Sequence, residues 1–439
     1  MADNLKRVLI ITYYWPPSGG SGVQRWLKFA KYLPDHGWLP VVYTPENPEL
    51  PEIDHSLQED VRPETVVIKQ PIVEPYTLYK KFVGLKKNDR IQTGFLSTKK
   101  KKGFAEKIAR WIRGNFFIPD ARKFWIKPSV KFLAKEIQAN PVDLIISTGP
   151  PHSMHLIGLK LAQKTNIPWI ADFRDPWTNI DFYEDLLLTK MADRRHRWLE
   201  KQVLSQATKV LVVGNRMKLE FSELIDSSKI IVLPNGYDDD DAGKNQALVD
   251  TKFSIAHIGS FSPARNPHTL WSVLQQLCKE LPGFADDLVI RAVGTVDYTV
   301  SQSLEQHELT PYLERIAYLP HHEVIQEQQR AAVLLLVVNR SKNAKGILTG
   351  KVFEYLLSTR PLLAVGPTDG DLAGLLENVG AAPVVDYDDF EGLKNRVRTL
   401  YSNFKQGIAE QAPQVERYSR SNLTRDLATL MMQLSDVKK

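Results

Sequence analysis

The residues best suited to chemistry stand near the two ends of this 439-residue sequence. Toward the C-terminus, Gly350-Lys351-Val352-Phe353-Glu354-Tyr355 leads through a Pro turn into the apolar run 362–365 and then Gly366. A carboxylate on a short amphipathic helix can accept two hydrogen bonds from the hydroxyls of a ribose, while the amides at Gly350 and Lys351 face a diphosphate. A surface helix with one Glu gives the same pattern. Toward the N-terminus, the apolar run Val8-Leu9-Ile10-Ile11 precedes a Pro-rich loop and Gly19-Gly20-Ser21-Gly22. Apolar residues then recur with helical spacing at Val23, Trp26, Leu27, Ala30 and Leu33. Strand, glycine loop and helix in that order present free amides to an anion. A tight turn without ligand is the other reading. The spacing is not the dinucleotide fingerprint, because the third Gly is missing, and no phosphate loop ending in Gly-Lys-Ser/Thr is present.

These segments need rigid elements to place them. Strand-like runs lie at 8–12, 39–43, 66–69, 144–147, 169–172, 209–213 and 230–233, with helical patterns between them, notably 129–138, 155–164 and 192–204. Such alternation predicts a parallel sheet covered on both faces. After Pro234-Asn235-Gly236 the acidic run 238–241 and the polar stretch to Thr251 read as a solvated linker. The alternation restarts with strands at 253–258, 288–293, 316–319, 333–338, 362–365 and 383–385, and an amphipathic helix spans 417–434. The expected fold class is α/β, with two Rossmann-like doubly wound domains facing across a cleft: residues 1–244, residues 250–415, and a helix from 416 returning to the first domain. Two further strand ends carry polar residues. One is Ser147-Thr148-Gly149-Pro150-Pro151-His152, and the other is Asp172-Phe173-Arg174-Asp175, read either as a buried ion-pair knot or as an acceptor-binding set.

Composition is that of a globular protein, with 43% hydrophobic and 25% charged residues. The single Cys278 excludes an internal disulfide and a cysteine-rich metal site. No leader pattern and no apolar window near 18 residues is found, so a cytoplasmic chain without a membrane span is expected. The net charge of +6 is unevenly placed, with twelve basic and two acidic residues from Lys80 to Arg113, interleaved with aromatics. This insertion, about 75–118, suits an anionic membrane surface on which the protein would sit peripherally; a solvated loop is the other reading, and nucleic acid is not expected.

Taken together the motifs resemble the retaining, nucleotide-sugar-dependent glycosyltransferases with the GT-B fold (family 4-like), over nearly the whole chain outside the insertion. The resemblance implies that Gly19, Gly20 and Gly22 approach a donor diphosphate, and that Arg265, in His257-Ile258-Gly259-Ser260-Phe261, grips it. It implies that Leu319-Pro320-His321 recognises the base, that Glu354 binds ribose, and that His152 contacts the donor sugar, with His155 as second choice. Two positions depart from the family. Where many members carry a second Glu this sequence has Gly346, so that contact with the sugar is either missing or comes from backbone amides of Gly346, Ile347 and Leu348. Where a second basic residue is usual it has Ser260, so Lys351 or Lys345 supplies the charge. His152, Arg265 and Lys351 are the expected catalytic residues, and Asp172, Arg174 and Asp175 line the acceptor side. The implied activity is sugar transfer from a nucleoside diphosphate sugar to a glycan or lipid-linked acceptor in polysaccharide or glycolipid synthesis, without metal or other cofactor. A non-catalytic nucleotide-binding scaffold and a sugar-nucleotide epimerase of the same fold are the alternatives.

Overall fold

In a computed structural model, residues 5–50, 52–74, 104–181, 183–241 and 247–436 are described. Most of the basic insertion, including Lys99 to Lys102, lies outside them. The chain divides into two compact units: one runs to Asn235 and resumes at Arg420, while the other is built on Gly236–Ser419. The first division therefore falls at Asn235, ahead of the stretch read as a linker. That stretch is tied into the second unit: Asp238 is buried, Asp241 Oδ2 lies 3.0 Å from His321 Nε2, and Asp250 pairs with the buried Arg291 at 2.5 Å. The acidic run is thus not wholly solvated, because Asp238 is buried and Asp241 has a partner 80 residues away.

The first unit holds a parallel sheet of β1 (Lys6–Ile11), β2 (Trp38–Pro45), β3 (Val66–Gln70), β4 (Leu144–Gly149), β5 (Trp169–Phe173), β6 (Lys209–Val212) and β7 (Ile230–Val232). The order is β3-β2-β1-β4-β5-β6-β7. Its apolar runs bury both faces of the pleat. Leu9 and Ile11 join one core cluster with Trp125, Trp169 and Phe173, whereas Val8 and Ile10 join another with Trp26, Trp38 and Phe29. The helix Arg420–Asp436 closes that second cluster through Leu423, Leu427, Ala428 and Met431. Helix Lys123–Ala139 starts six residues earlier than its apolar spacing indicates, because the chain carries Pro128 inside it. Proline lacks the N–H for one internal bond.

The second unit holds β8 (Phe253–Ile258), β9 (Leu288–Val293), β10 (Leu313–Ile316), β11 (Val333–Val337) and β12 (Leu362–Val365), ordered β10-β9-β8-β11-β12 and parallel throughout. Two expectations shift here. The strand expected at 316–319 is Leu313–Ile316, since an edge strand with exposed Glu314 and Arg315 does not show as an apolar run. The strand expected at 383–385 is a single bridge from Val385 to Val365. Pro383, without an N–H, cannot extend the ladder.

In both sheets the order reverses once, beside β1 and β4 in the first and beside β8 and β11 in the second. Chains leaving the sheet on opposite sides open a crevice at the carboxyl ends of such a pair, and ligands collect there.

Candidate functional site

In the first unit, Asp172 near the end of β5 is fully buried and is the centre of a polar knot. It accepts hydrogen bonds from Arg25 Nη2 at 2.8 Å, Trp26 Nε1 at 2.7 Å and Thr148 Oγ1 at 2.8 Å. Arg25, 1% exposed, spends its other hydrogens on the carbonyls of Leu233 and Pro234, both at 2.9 Å. Burial opposes the Asp172 charge, but Arg25 and the three donors outweigh it and hold the carboxyl below its ordinary range. Every lone pair facing the knot is thus spent inside the protein, as in an ion pair that shapes a cleft.

Arg174 does not join Asp172, as the sequence suggested. It lies past the end of β5, and its fork donates to the carbonyls of Gly22 (2.6 Å), Gly149 (3.3 Å) and Pro150. Arg174 therefore ties the N-terminal glycine loop to the loop after β4, while Asp175 is exposed. Within the glycine loop the Gly19 amide is already bonded to Glu52 O at 2.9 Å, which removes it from the donors expected to face a diphosphate. Gly20 opens the helix Ser21–Tyr32 at φ +83°, and a Cβ on Gly22 would stand 2.9 Å from the Tyr14 ring. The ring, rather than a ligand, requires that third glycine.

His152 precedes the helix Ser153–Thr165, whose start is held from afar by Asp120, which accepts from Ser153 N and Oγ at 2.8 Å each. Its imidazole stacks on Trp177 at 4.6 Å with the rings 2° from parallel. Burial, then the neighbouring imidazoles His155 and His196, push its basicity far down, so the ring is neutral. Trp177 is itself fixed. Its indole N–H donates to His196 Nδ1 at 3.1 Å, and His196 Nε2 faces Gly114 O at 3.4 Å. An acceptor at Nδ1 and a donor at Nε2 make His196 the neutral Nε2–H tautomer. Buried Glu200 accepts from Trp177 N, Thr178 N and Thr178 Oγ1, fixing the backbone there. His155 is completely buried, bonded to Ser147 Oγ at 2.9 Å and stacked on Phe173, and burial lowers its pKa to about 3. His155 is fully buried core, whereas His152 is 8% exposed.

In the second unit the strand ends of β8 and β9 pass into Gly259 and Gly294, both with left-handed φ of +106° and +103°. A Cβ on Gly294 would press to 3.2 Å of the Gly259 backbone. One on Gly259 would overlap the Lys351 ammonium and reach 2.7 Å from its Cε, so Lys351 lies directly over Gly259. Burial first, then the Arg265 guanidinium, lower the Lys351 pKa to about 7 against the pull of Glu354. Arg265 donates to Asn339 Oδ1 at 2.6 Å and to Ser260 O at 3.1 Å, which bridges the loops after β8 and β11. Tyr355 pins the helix Lys351–Leu357 to β8, receiving Ile258 N–H at 3.0 Å. Beneath them His257 is buried, and its pKa falls to about 3 through burial and the two cations. Glu354 accepts from Gln328 Nε2 at 3.0 Å. Two cations converging at a switch point, with one carboxylate a turn of helix away, can hold a polyanion bonded to a polyol.

The remaining predicted donor residues sit less simply. Gly346 N and Ile347 N are bonded to Asn343 O and Ala344 O at 2.9 and 3.2 Å, so the short turn at Ala344–Gly346 uses two of the three amides expected to meet a sugar. Leu319 packs on the core ahead of the helix His321–Arg330. Sequence reasoning missed Arg25, Trp177, His196, Asn339 and Tyr355. The signals were thin: Arg25 is a lone charge on the apolar face of a helix, and the others are ordinary polar or aromatic residues.

Residues 91–241 match the family described as Glycosyltransferase Family 4. No curated protein matches the sequence. Among solved structures, a Candida albicans trehalose-6-phosphate phosphatase N-terminal domain is similar at TM-score 0.63 and 14% identity, covering 98% of this chain and 97% of the other. The sucrose-phosphate synthase of Thermosynechococcus elongatus is similar at TM-score 0.59 and 12% identity, covering 99% and 97%. WaaG, a glycosyltransferase involved in lipopolysaccharide biosynthesis, is similar at TM-score 0.54 and 13% identity, covering 98% and 99%. The architecture is the GT-B fold of two Rossmann-like units.

Proposed function

We propose that this glycosyltransferase, whose residues 91–241 carry the family 4 match, transfers a sugar from a nucleoside diphosphate sugar to a glycan or lipid-linked acceptor with retention of configuration, in envelope polysaccharide or glycolipid synthesis. The observation that carries the reading is Lys351 lying over Gly259 with Arg265 beside it at the β8–β11 switch. These cations hold the diphosphate and stabilise the charge that grows on it as the sugar leaves with oxocarbenium character. Glu354 binds the ribose, and the backbone at Leu319 and Pro320 recognises the base. Neutral His152, stiffened by Trp177, contacts the donor sugar as a hydrogen-bonding group rather than a cation. Asp175 and the Arg174-tied loops form the acceptor side, with Asp172 as their scaffold. The two cations do the work a metal ion would do, so turnover persists in chelator.

The fold neighbour acting in lipopolysaccharide synthesis and the basic segment Lys80 to Arg113 support an acceptor at an anionic membrane face, with the protein peripheral on its cytoplasmic side. Among the described residues no helix is long and apolar enough to cross a membrane. A second reading, a nucleotide-binding scaffold, is favoured by one observation: Gly346 stands where a donor-sugar carboxylate is usual, and its amide is spent. Thermal stability with UDP, GDP, ADP and CMP and their sugar conjugates tests both. A ligand at a hundred times its dissociation constant adds about 2.7 kcal/mol. Binding followed by sugar release to lipid-linked acceptors supports the transferase, binding without turnover supports the scaffold, and no stabilisation by any donor refutes both.

A further inference from the structure

Two neighbouring helices of the first unit leave large apolar side chains in solvent. On Phe104–Phe116, Trp111 is 40% and Phe116 58% exposed, with their rings 5.6 Å apart edge to face. On Lys190–Gln206, Met191 is 81% and Trp198 49% exposed, and their spacing of seven puts them on one face. The helices lie side by side, since Gly114 O of one faces His196 Nε2 of the other at 3.4 Å. Between them Leu187, 47% exposed, is held by Asn115 Nδ2 on its carbonyl at 3.2 Å. Phe124, 53% exposed, adjoins through Lys123, whose ammonium lies 5.1 Å from its ring and 5.4 Å from Phe117. Six such side chains exceed the scattered single exposures normal for a monomer.

The charges around them choose the occupant. Lys107, Arg110, Arg113, Lys123, Arg194 and Arg195 belong to the same segments, and Arg195 lies over the Trp198 ring at 4.4 Å. Of the acidic side chains there, Asp193 is paired with Arg197 at 3.0 Å, while Glu184 and Asp185 are exposed. Aromatic rings among cations match an anionic bilayer surface: rings enter the headgroup boundary while cations meet lipid phosphates. We infer that Trp111, Phe116, Phe124, Leu187, Met191 and Trp198 form a bilayer-inserting face. The inference rests on the membrane reading above and extends it, because that reading was confined to the basic and aromatic segment at about 75–118. It adds insertion by side chains from a helix about 80 residues further along the chain.

Sedimentation with vesicles of phosphatidylglycerol and phosphatidylcholine tests it, with tryptophan quenching by brominated lipid as the second measurement. The full-length chain should bind, its tryptophan fluorescence should be quenched, and a measurable fraction should stay bound at high salt. Trp111→Ser combined with Trp198→Ser should lower partitioning at least tenfold and remove most of the quenching. The nucleotide-induced stabilisation of the same variant should stay unchanged, which shows that it is folded. A double variant that binds and is quenched as the parent overturns the inserting face while leaving charge-driven association in place. A parent that never pellets overturns both readings. A parent that dimerises through this surface and ignores vesicles overturns this inference in favour of a second copy.

Discussion

Raising the pH through 7 should weaken donor binding through Lys351. Burial and Arg265 place its pKa at about 7 in the free protein, against 10.5 for an ordinary lysine. If the diphosphate binds only the ammonium form and keeps it charged, apparent affinity falls about tenfold between pH 6 and 8, equivalent to about 1.4 kcal/mol. Binding at pH 8 then takes up close to one proton. A nucleoside diphosphate sugar is the ligand to use, since its diphosphate has no proton to exchange in this range. Calorimetry in two buffers of different ionisation enthalpy reads the proton directly. Lys351→Arg keeps the charge and should flatten the pH dependence, whereas Lys351→Met should bind weakly at every pH. The same side chain makes a statement about stability. Its folded pKa lies below the unfolded one, so between pH 7 and 10.5 the unfolded chain holds the extra proton and stability rises with pH; below 7 the full cost remains. The shift sets an upper bound of about 5 kcal/mol, and the partial exposure of the Lys351 residue lowers it. Lys351→Met should therefore stabilise the unliganded protein at pH 6.5. An affinity that is flat from pH 6 to 8 in the parent, or equally steep in Lys351→Arg, refutes the reasoning.

The remaining site residues give sharper single outcomes. Glu354→Ala should weaken nucleotide binding about tenfold with little change in turnover at saturation, the cost of losing a charge-assisted hydrogen bond; unchanged affinity removes its ribose role. Trp177→Phe keeps a ring under His152 but loses the bond to His196, so kcat should fall about tenfold through misplacement while nucleotide affinity holds. Asp172→Asn leaves Arg25 buried without its counter-charge and should cost about 3–5 kcal/mol in urea unfolding; a loss under 1 kcal/mol would mean that the knot is not tightly closed.

How much of this was legible beforehand depended on distance along the chain. Strands β1, β4, β5 and β8 are apolar runs buried on both faces, and local sequence carries that signal whole. The edge strand β10 carries little of it, and the apolar residues just after it drew the boundary three residues late. Glu354 and Lys351 could be singled out because both sit within one helix whose neighbours resemble a family motif. That Lys351 rests on Gly259 was not visible, since the contact joins residues in different elements and depends on a left-handed φ. Arg174 looked like the partner of Asp172 because it is two residues away, but Arg25 reaches that carboxylate from the helix Ser21–Tyr32. Backbone amides at Gly19, Gly346 and Ile347 were assigned to a ligand, although the distant Glu52 carbonyl had already claimed the first and turn geometry the other two. Sequence motifs name residue types; they do not show which hydrogen bonds are still free.

The helix Arg420–Asp436 has a consequence for how the protein is made. Leu423, Leu427, Ala428 and Met431 complete a core whose other walls are Val8, Ile10, Trp26 and Trp38. During synthesis the second unit, which ends at Ser419, is finished before the first can be sealed. Until then Trp26, Trp38 and their neighbours face solvent or whatever binds nascent chains. The order of completion is the reverse of the order of translation. A nonsense codon near residue 420 would spare every proposed catalytic side chain and still leave the first unit open, so a truncated product should be found with chaperones or in the insoluble fraction.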